Sequence, residues 1–488
     1  MKKRVMTAGL VCALVAALAL GGCAKSGDDT LLDPGNPVTV TLWHYYVGEN
    51  QQAMESAVAE FNQTEGMEKG VFVETVAMGS IGELEEAVTN SAKGVINSSE
   101  MPDLFSSYPD KALEIDGMDM LCDLNEYFTE EEKQLYVQDF LEEGIFAEGR
   151  FLVAPIVKST ELLYVNETDW DAFAQDVGAT DADLETWESI YDLSQQYYNW
   201  VDEKTPALWD GKGMIGIDSV ANYVIIGNKQ LGTDIIDASS GGVVLDEAAL
   251  RRVFEVYYTG ISMRYFDAVG KFRSDDIKAG DLIEYVGSSS SAAYFPTWIE
   301  KNNTQSDIDL VALRYPVFEG GEPYAIQQGA GMCIAKTTPE KQEGAAVFLK
   351  WFTAPQQNIT FAMTTGYLPV QAQAYESGAF AAALEVLGGG EEDLQNVGKV
   401  YEIALSQITE LNTYAAKPFA GSYDARSLFQ STLMEKADAG RGMADTLKAQ
   451  GLTADAVIKG LDVDAKFDEW MTDLRSGLDA LGISYSGG

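Results

Sequence analysis

Four polar residues, Lys158 to Glu161, lie in the stretch PIVKSTELLYVN at positions 155–166 and separate two apolar runs. The flanking runs, 151–153 and 162–165, carry aliphatic and aromatic side chains that favour β-strands. An ammonium, two hydroxyls and a carboxylate in a row can hydrogen-bond a polar ligand. Such a segment is either an ordinary surface loop or a crossing between two domains, where clefts form and ligands bind. The rest of the sequence favours the crossing.

The sequence lacks the patterns of common catalytic and metal-binding sites. His44 is the only histidine, so no His/Cys cluster with metal-ligand spacing exists. No G-x-S-x-G, P-loop or H-E-x-x-H motif occurs. Acidic runs at 130–132 and 391–393 are most simply solvated surface, and no complete D-x-D-x-D-G calcium loop is present. We therefore predict no metal, no cofactor and no catalytic residues.

The charge of the chain excludes several classes of partner. Its 488 residues include 76 acidic and 33 basic ones, which gives a net charge of −43 at pH 7. Nucleic acids and anionic membrane surfaces repel such a protein. A hydrophobic content of 46% is typical of a globular protein, and the length suits two domains.

The N-terminus has the organisation of a bacterial export signal. A basic head at 2–4 precedes an apolar segment at 5–20, which is short for a membrane-spanning helix. The sequence Leu-Gly-Gly-Cys follows and resembles a lipobox, whose cysteine, here Cys23, is diacylated with fatty acids such as palmitate. This predicts a signal peptide at 1–22 and a polar tether at 23–37. A plain secretory signal with a chance cysteine is the alternative.

Two cysteines, Cys122 and Cys333, remain after the signal peptide and the lipidated position are set aside. They are either two buried thiols or one disulfide bridge, and both alternatives suit an exported protein.

The first part of the chain alternates strand and helix patterns. Strand patterns occur at 38–42, 71–76 and 102–105, and apolar residues recur at helical spacing over 53–61. Ser80 opens a further helix as an N-cap. Alternating strands and helices favour a parallel sheet covered by helices.

The later part is read in the same way. We predict a helix start at Thr186 and a strand at 215–219, with the small-residue loop 287–291 further on. Thr338 and Thr353 each open a helix, and the second of these ends at Gly366. The chain then reads as helical from Leu394 to about Leu481.

Several stretches together resemble one known family. They are the first strand ending in Trp43, Pro102-Asp103-Leu104-Phe105, PIVKSTELLYVN, the helix start at Trp187, Gly329-Ala330-Gly331, AAVFLKWFTAPQQN and Thr365-Gly366-Tyr367-Leu368-Pro369. In this order, and with the lipobox, they resemble the family 1 extracellular solute-binding proteins of ABC importers. The resemblance covers about residues 38–440 and is strongest to the sugar and glycerol-phosphate binders.

The resemblance implies an α/β, two-lobed, periplasmic-binding-protein-like fold of type II. Several hinge crossings join the lobes, and a ligand bound between them favours the closed form. Lobe 1 is expected at 38–155 with a return segment at about 326–370. Lobe 2 is expected at 156–325 with the C-terminal helical part at about 371–488.

A carbohydrate ligand needs flat apolar faces and a surround of hydrogen-bonding groups. The aromatic candidates are Trp43, Tyr45, Tyr108, Tyr223, Trp298 and Tyr367. The family pattern and the polar crossing add Ser80, Glu83, Ser159, Glu161, Ser289 and Gly329. Lys158 stands where the family often has a serine.

Arg426 falls where glycerol-phosphate binders of the family place an arginine against phosphate. A guanidinium suits phosphate and also bridges sugar hydroxyls. The alternative is a helix-surface arginine paired with Asp424 or another nearby acid.

The resemblance thus implies a monomeric lipoprotein, anchored on the extracellular face of a bacterial cell membrane of Gram-positive type. It would bind a carbohydrate-type or glycerol-phosphate-like solute and deliver it to ABC permease subunits. A surface glycoside hydrolase, with paired carboxylates among the 76 acids, and a surface adhesin or sensor partner are the alternatives.

Overall fold

A computed structural model describes residues 30–301, 304–376, 378–388 and 392–487. The predicted signal peptide, Cys23 and most of the tether lie outside the described residues. None of the described helices is long and apolar enough to cross a membrane.

The first part of the chain alternates short strands and helices, as predicted. Its elements are β1 (Val38–His44), α1 (Gly48–Gln63), α2 (Glu65–Lys69), β2 (Val71–Ala77), α3 (Ile81–Ala92), β3 (Leu104–Ser107), α4 (Pro109–Asp116), α5 (Glu130–Lys133) and α6 (Gln138–Glu142), with 3-10 turns at Leu124–Glu126 and Ala147–Gly149.

The middle part begins with the strand that follows the polar crossing. Its elements are β4 (Glu161–Asn166), α7 (Glu167–Val177), α8 (Trp187–Asp202), β5 (Ile215–Ile217), α9 (Val220–Gln230), β6 (Ile236–Asp237), β7 (Gly242–Val244), α10 (Glu247–Met263), α11 (Arg273–Ala279), β8 (Glu284–Ser288), β9 (Trp298–Lys301), β10 (Thr304–Asp307) and β11 (Leu310–Leu313), with 3-10 turns at Asp181–Leu184 and Ser289–Tyr294.

The last part returns to the first sheet and then becomes mainly helical. Its elements are β12 (Tyr324–Ile326), β13 (Gly331–Ile334), α12 (Pro339–Thr353), α13 (Pro355–Thr365), α14 (Ala372–Glu376), α15 (Ala379–Gly388), α16 (Glu392–Glu410), β14 (Asn412–Tyr414), α17 (Ser422–Ala449), α18 (Ala454–Gly460), α19 (Val463–Leu481) and β15 (Ser484–Ser486).

Two four-stranded sheets organise these elements, and we name the lobes after them. Lobe 1 is built on the sheet β13-β3-β1-β2, in which β1 runs parallel to β2 and β3, and β13 runs antiparallel to β3. Lobe 2 is built on the sheet β11-β4-β8-β5, in which β4 runs antiparallel to both neighbours. Smaller sheets are β9-β10, β12-β14 and β15-β7-β6.

Each lobe has its own hydrophobic core. In lobe 1, Val40 and Leu42 of β1 pack with Phe348 of α12. In lobe 2, helices from both ends of the lobe share one cluster, which joins Trp187 of α8 to Trp470 of α19. Helices α13 to α16 cover a further cluster on the lobe 2 sheet, where α16 and the strands β4 and β8 meet. This burial of apolar surface is the main stabilising contribution in both lobes.

Local signals in the sequence explain several element boundaries. The Ser80 side chain accepts a hydrogen bond from the Glu83 backbone N–H at 3.2 Å and so caps α3, as predicted. Gly366 ends α13 with a φ of 74°, and a Cβ there would lie 2.7 Å from the Ser289 carbonyl oxygen. Only glycine fits that turn without strain.

Two local predictions are wrong. Thr353 does not cap α13, because its hydroxyl donates to the Leu349 carbonyl oxygen at 2.8 Å and Ala354 occupies the cap position. The segment from Leu394 to Leu481 is not helical throughout, because β14 interrupts it to pair with β12.

Cys122 and Cys333 are both buried free thiols, so the disulfide alternative is excluded.

Candidate functional site

A cavity of about 810 Å³ lies between the lobes. Lobe 1 contributes one wall through α3, α4 and their first residues, and lobe 2 contributes the other through β4, β8 and α9. The start of α17 closes a third side. Its polar and aromatic lining includes Glu85, Tyr108, Asp110, Glu143, Glu161, Asp218, Ser219, Asn222, Lys271, Phe272, Ser288, Ser291, Gln327, Gln328, Ser422, Tyr423, Arg426, Gln430 and Ser431.

Four helices begin at this cavity. Residues at or next to the first turns of α3, α4, α9 and α17 all belong to its lining. The first N–H groups of a helix have no partner within the helix, and the helix dipole is positive at this end. The cavity therefore lies at the positive ends of four helix dipoles, beside several acidic side chains.

Glu161 is the first residue of β4 after the polar crossing, and it is 2% exposed. One carboxyl oxygen accepts from Asn222 Nδ2 at 2.8 Å and from Gln328 Nε2 at 2.6 Å. The other, Oε2, has no hydrogen-bond partner among the described residues. Desolvation by burial raises the pKa of Glu161 to about 7, against a smaller lowering by the two amides. An acceptor therefore stands ready for a ligand at this wall.

Glu85 holds a comparable position on the lobe 1 wall. The side chain is 4% exposed, and its Oε1 has no partner among the described residues. Desolvation by burial raises the pKa of Glu85 to about 7, and the nearby Asp110 carboxylate raises it further. Burial also raises the pKa of Asp110, against the opposing charge of Arg426.

Arg426 lies between the two walls. Its Nη2 donates to Asn222 Oδ1 of lobe 2 at 3.0 Å, and its Nε is 3.9 Å from Asp110 Oδ2 of lobe 1. The arginine thus contacts both lobes, and its side chain remains 34% exposed. A ligand in the cavity could replace or extend these contacts.

A second acidic group lies near the lobe 2 wall. The Asp218 carboxylate accepts from the Arg273 backbone N–H at 3.2 Å, and burial raises the pKa of Asp218 to about 6. Lys271 also lines the cavity, with its ammonium 5.2 Å from the centroid of the exposed Phe272 ring.

The polar crossing itself is tied down by a buried ion pair. Lys158 is 3% exposed and its ammonium contacts Glu143 Oε2 at 2.6 Å and the Gly329 carbonyl oxygen at 3.2 Å. Ser159 and Gln328 exchange backbone hydrogen bonds of 2.9 and 2.8 Å, which joins two of the crossings between the lobes. Lys158 is therefore engaged by the protein itself.

Three of the residues predicted from the sequence line the cavity: Tyr108, Glu161 and Arg426. Ser80 and Glu83 lie at its edge, where they cap α3 next to the lining residues Ile81 and Gly82.

Four of the predicted aromatic residues lie outside the cavity lining, and three of them, Trp43, Tyr223 and Tyr367, are buried. Trp43 is 5% exposed and packs in the lobe 1 core. Tyr223 is fully buried, and its hydroxyl donates to the Val253 carbonyl oxygen at 3.0 Å. Tyr45 and Tyr367 direct their hydroxyls at each other, 3.2 Å apart. The rings of Trp43, Tyr223 and Tyr367 pack in the hydrophobic cores of the lobes, which keeps them away from the cavity.

The other four predicted residues also lie outside the cavity lining. Ser159 and Gly329 belong to the crossings, and Gly329 has a φ of 104° that favours glycine. Ser289 is buried next to Gly366 and donates its backbone N–H to the Thr160 carbonyl oxygen at 2.7 Å. Trp298 lies in the β9–β10 hairpin, beneath the ammonium of Lys278.

Sequence reasoning missed most of the acidic and amide lining. Asp110, Asn222 and Tyr423 lie in the first turns of helices, where polar residues are common for capping and dipole reasons, and Glu85 lies in the second turn of α3. The one available signal was the polar end of the β5 strand pattern, which leads to the N-cap Ser219 and the cavity wall.

No group of three potential ligands among the described residues could hold a metal ion. His44 is buried without a hydrogen-bond partner in the part of the chain that the structure describes, and desolvation lowers its pKa to about 4. At neutral pH it is therefore an uncharged core residue.

The chain matches the family described as bacterial extracellular solute-binding protein over residues 56–387. No curated protein matches the chain.

Solved structures share the fold over nearly the whole chain. UgpB from Mycobacterium tuberculosis in complex with glycerophosphocholine is 18% identical, with a TM-score of 0.65, and the alignment covers 91% of this chain and 100% of that one. An ABC substrate-binding protein from Listeria monocytogenes in complex with cycloalternan is 10% identical, with a TM-score of 0.66 and coverage of 92% and 100%. The cyclic alpha-maltosyl-1,6-maltose binding protein from Arthrobacter globiformis is 17% identical, with a TM-score of 0.63 and coverage of 91% and 100%. The predicted α/β two-lobed fold is confirmed.

Proposed function

The chain belongs to the bacterial extracellular solute-binding proteins, and we propose that it captures a carbohydrate-type solute between its lobes for an ABC importer. The observation that carries this proposal is the cavity of about 810 Å³ to which both lobes contribute. Its size lies within the roughly 300–1,000 Å³ of small-molecule sites.

The lining suits a polyhydroxylated ligand. Carboxyl oxygens of Glu85 and Glu161 that have no partner among the described residues can accept hydrogen bonds from hydroxyl groups, and Arg426 and Asn222 can donate to hydroxyl oxygens. Tyr108 offers a ring face of the kind that stacks on sugar rings. Structural neighbours solved with glycerophosphocholine and cycloalternan support the same class of solute.

Closure gives the cavity its role in transport. Arg426 contacts Asp110 of lobe 1 and Asn222 of lobe 2, so a ligand beside it contacts both lobes at once. Such a ligand stabilises the closed form by the difference between its affinities for the two forms. The permease would then recognise the closed, loaded protein and accept the solute.

The finer assignments belong to the same proposal. The protein is a lipoprotein with a signal peptide at 1–22 and acyl chains on Cys23, anchored on the extracellular face of a Gram-positive-type cell membrane. Two acyl chains anchor a protein stably where one is marginal. It acts as a monomer and performs no chemistry on its solute. The site residues proposed are the lining residues rather than the buried aromatic set.

Binding is tested by a thermal-shift screen of neutral, amino and phosphorylated saccharides, followed by calorimetry on each stabilising compound. Asn222→Ala should abolish binding, because it removes the amide that joins Glu161 to Arg426. Asn228→Ala is the matched control on the same helix, since its amide donates to the Val224 carbonyl oxygen inside the core. Equal loss of binding in both variants, or cleavage of a saccharide during incubation, would contradict the proposal.

The anchor is tested separately. Cys23→Ser should release the protein from the membrane fraction or leave it unprocessed, because acylation needs the thiol. Metabolic labelling with a fatty acid measures this, and undiminished label in the variant would show that Cys23 is not the lipid site.

A further inference from the structure

The fixed charges that line the cavity do not balance. Five carboxyl groups line it, from Glu85, Asp110, Glu143, Glu161 and Asp218, and two basic side chains, from Lys271 and Arg426. Like charges gathered in a partly dry space repel one another strongly, so each carboxylate requires a partner or a proton.

Three of the five have a basic partner in the protein. Glu143 pairs with Lys158 at 2.6 Å. Asp218 lies 3.8 Å from Arg273 Nε, and Asp110 lies 3.9 Å from Arg426 Nε. These contacts engage Lys158, Arg273 and Arg426, while Lys271 of the lining takes no part in them.

Glu85 and Glu161 form no salt bridge with any lysine or arginine in the described part of the chain, and each has one oxygen without a hydrogen-bond partner there. Glu161 is nevertheless held by two amides, from Asn222 and Gln328. Glu85 lies beside a second carboxylate, Asp110, and the neighbouring Lys111 is already paired with Glu114 at 2.5 Å. Negative charge is therefore most concentrated at the lobe 1 wall.

Resting on the proposed function, we infer that the solute is a cationic saccharide whose ammonium group is received by Glu85 and Asp110. An ammonium supplies the hydrogen-bond donor that Glu85 Oε1 lacks and a second positive charge for the pair, of which only Asp110 has a basic partner. The ring of Tyr108 also lines the cavity, and aromatic faces attract cations, as the Lys111 ammonium 4.4 Å from the centroid of the Tyr423 ring shows at the same wall. A phosphate at this wall would meet two carboxyl groups instead.

The environment of Glu85 supports this assignment. Its pKa is raised to about 7, with desolvation as the largest cause and Asp110 as the next. Tyr423, Lys111 and Arg426 act in the opposite direction. A cation bound here would displace the proton and keep the carboxylate ionised.

The test is calorimetric titration with matched saccharide pairs that differ only in N-acetylation, in gluco and galacto configurations from one to three units. The free amine should bind about tenfold tighter than its neutral acetylated partner at pH 7, as a charge-assisted hydrogen bond replaces a neutral one. Glu85→Gln should remove this preference. Glu161→Gln is the matched control and should weaken both members of a pair equally.

Salt provides a readout without any substitution. The preference of the wild-type protein for the amine should shrink as ionic strength rises, because the added salt screens the attraction. This measurement also stands in for Glu85→Gln if that variant does not unfold cooperatively.

The outcomes separate the two proposals. Tighter binding of the neutral members, or a preference unchanged by salt, overturns the cationic solute and leaves carbohydrate binding intact. Failure of every saccharide in the panel to bind overturns both.

Discussion

Two buried glutamates lie at opposite ends of the same pair of strands in lobe 2. Glu161 of β4 stands opposite Ser288 of β8, and Glu284 of β8 stands opposite Val165 of β4. Glu161 lines the cavity and accepts two amide hydrogen bonds. Glu284 is fully buried, and neither of its oxygens has a partner among the described residues.

Burial has different consequences for the two glutamates. Burial is the main cause of the raised pKa at both glutamates, and at Glu284 the pKa lies well above the ordinary value, with Asp181 as a further cause. At the cavity, a ligand can meet the unsatisfied oxygen. In the sheet interior only a proton can, so the cost falls on the stability of the fold.

The largest effect is expected from Glu284→Met, which removes the enclosed carboxyl. The raised pKa means that wild-type stability is greatest below the unfolded value and declines as pH rises. Over the pH range in which the folded protein keeps the proton and the unfolded chain has lost it, the variant should gain on the wild type by about 1.4 kcal/mol per pH unit. Urea unfolding at pH 5, 6.5 and 8 measures the gain.

Glu86→Met is the control for that experiment, because Glu86 lies exposed on α3. A gain for Glu284→Met that stays constant with pH would mean that the carboxyl is not kept protonated by folding.

Glu161→Gln should sharpen the comparison with a narrower pH window. The pKa of Glu161 is raised to about 7, so its contribution to stability is complete at low pH and is lost as pH rises to about 7. The variant should gain about 3 kcal/mol across that window and nothing further above it. The same urea titration, extended to pH 9, measures this plateau, and a gain still growing at pH 9 would refute it.

A similar pair of arginines on α17 separates contact with solute from support of the fold. Arg426→Ala should weaken solute binding about tenfold, the worth of a charged hydrogen bond. Arg441 pairs with Asp267 at 2.9 Å, outside the cavity lining, so Arg441→Ala should leave affinity unchanged. Calorimetry on both variants tests this, and equal losses would assign the effect of Arg426 to displacement of the helix.

The smallest effects are expected from two tyrosines. Tyr223→Phe should cost about 1 kcal/mol of stability, because it removes the hydroxyl that donates to the Val253 carbonyl oxygen, and should not change affinity. Tyr423→Phe removes the hydroxyl that is hydrogen-bonded to Glu85 and should lower affinity by no more than about fivefold. The reverse pattern would return Tyr223 to the list of ligand contacts.

Much of the fold could be predicted because its signals are local. The alternation in β1, the cap at Ser80 and the left-handed turn at Gly366 depend on a few neighbouring residues. The prediction at Thr353 failed because Thr353-Ala354-Pro355-Gln356 has the spacing of a capping box. In the structure the Thr353 hydroxyl instead donates a hydrogen bond back into the preceding helix.

The site was harder to predict because it depends on which faces are buried. Trp43 and Tyr223 are aromatic residues of the type that bind sugars, but their rings fill the cores of the lobes. Glu85 and Asn222 resemble ordinary helix residues in the sequence. Only the convergence of their helices on one space makes them a site, and no local pattern records that convergence.

The interrupted path of the lobe 1 sheet also sets the order in which the protein can fold. Its edge strand β13 pairs with β3, with Gly331 opposite Ser107, so the whole lobe 2 sheet is synthesised between the two partners. Pairings between residues so distant in sequence slow folding. Until β13 emerges, β3 presents an open edge on which other chains could assemble. A nascent or truncated chain that ends before residue 331 should therefore aggregate through lobe 1, even though all four strands of the lobe 2 sheet are already present.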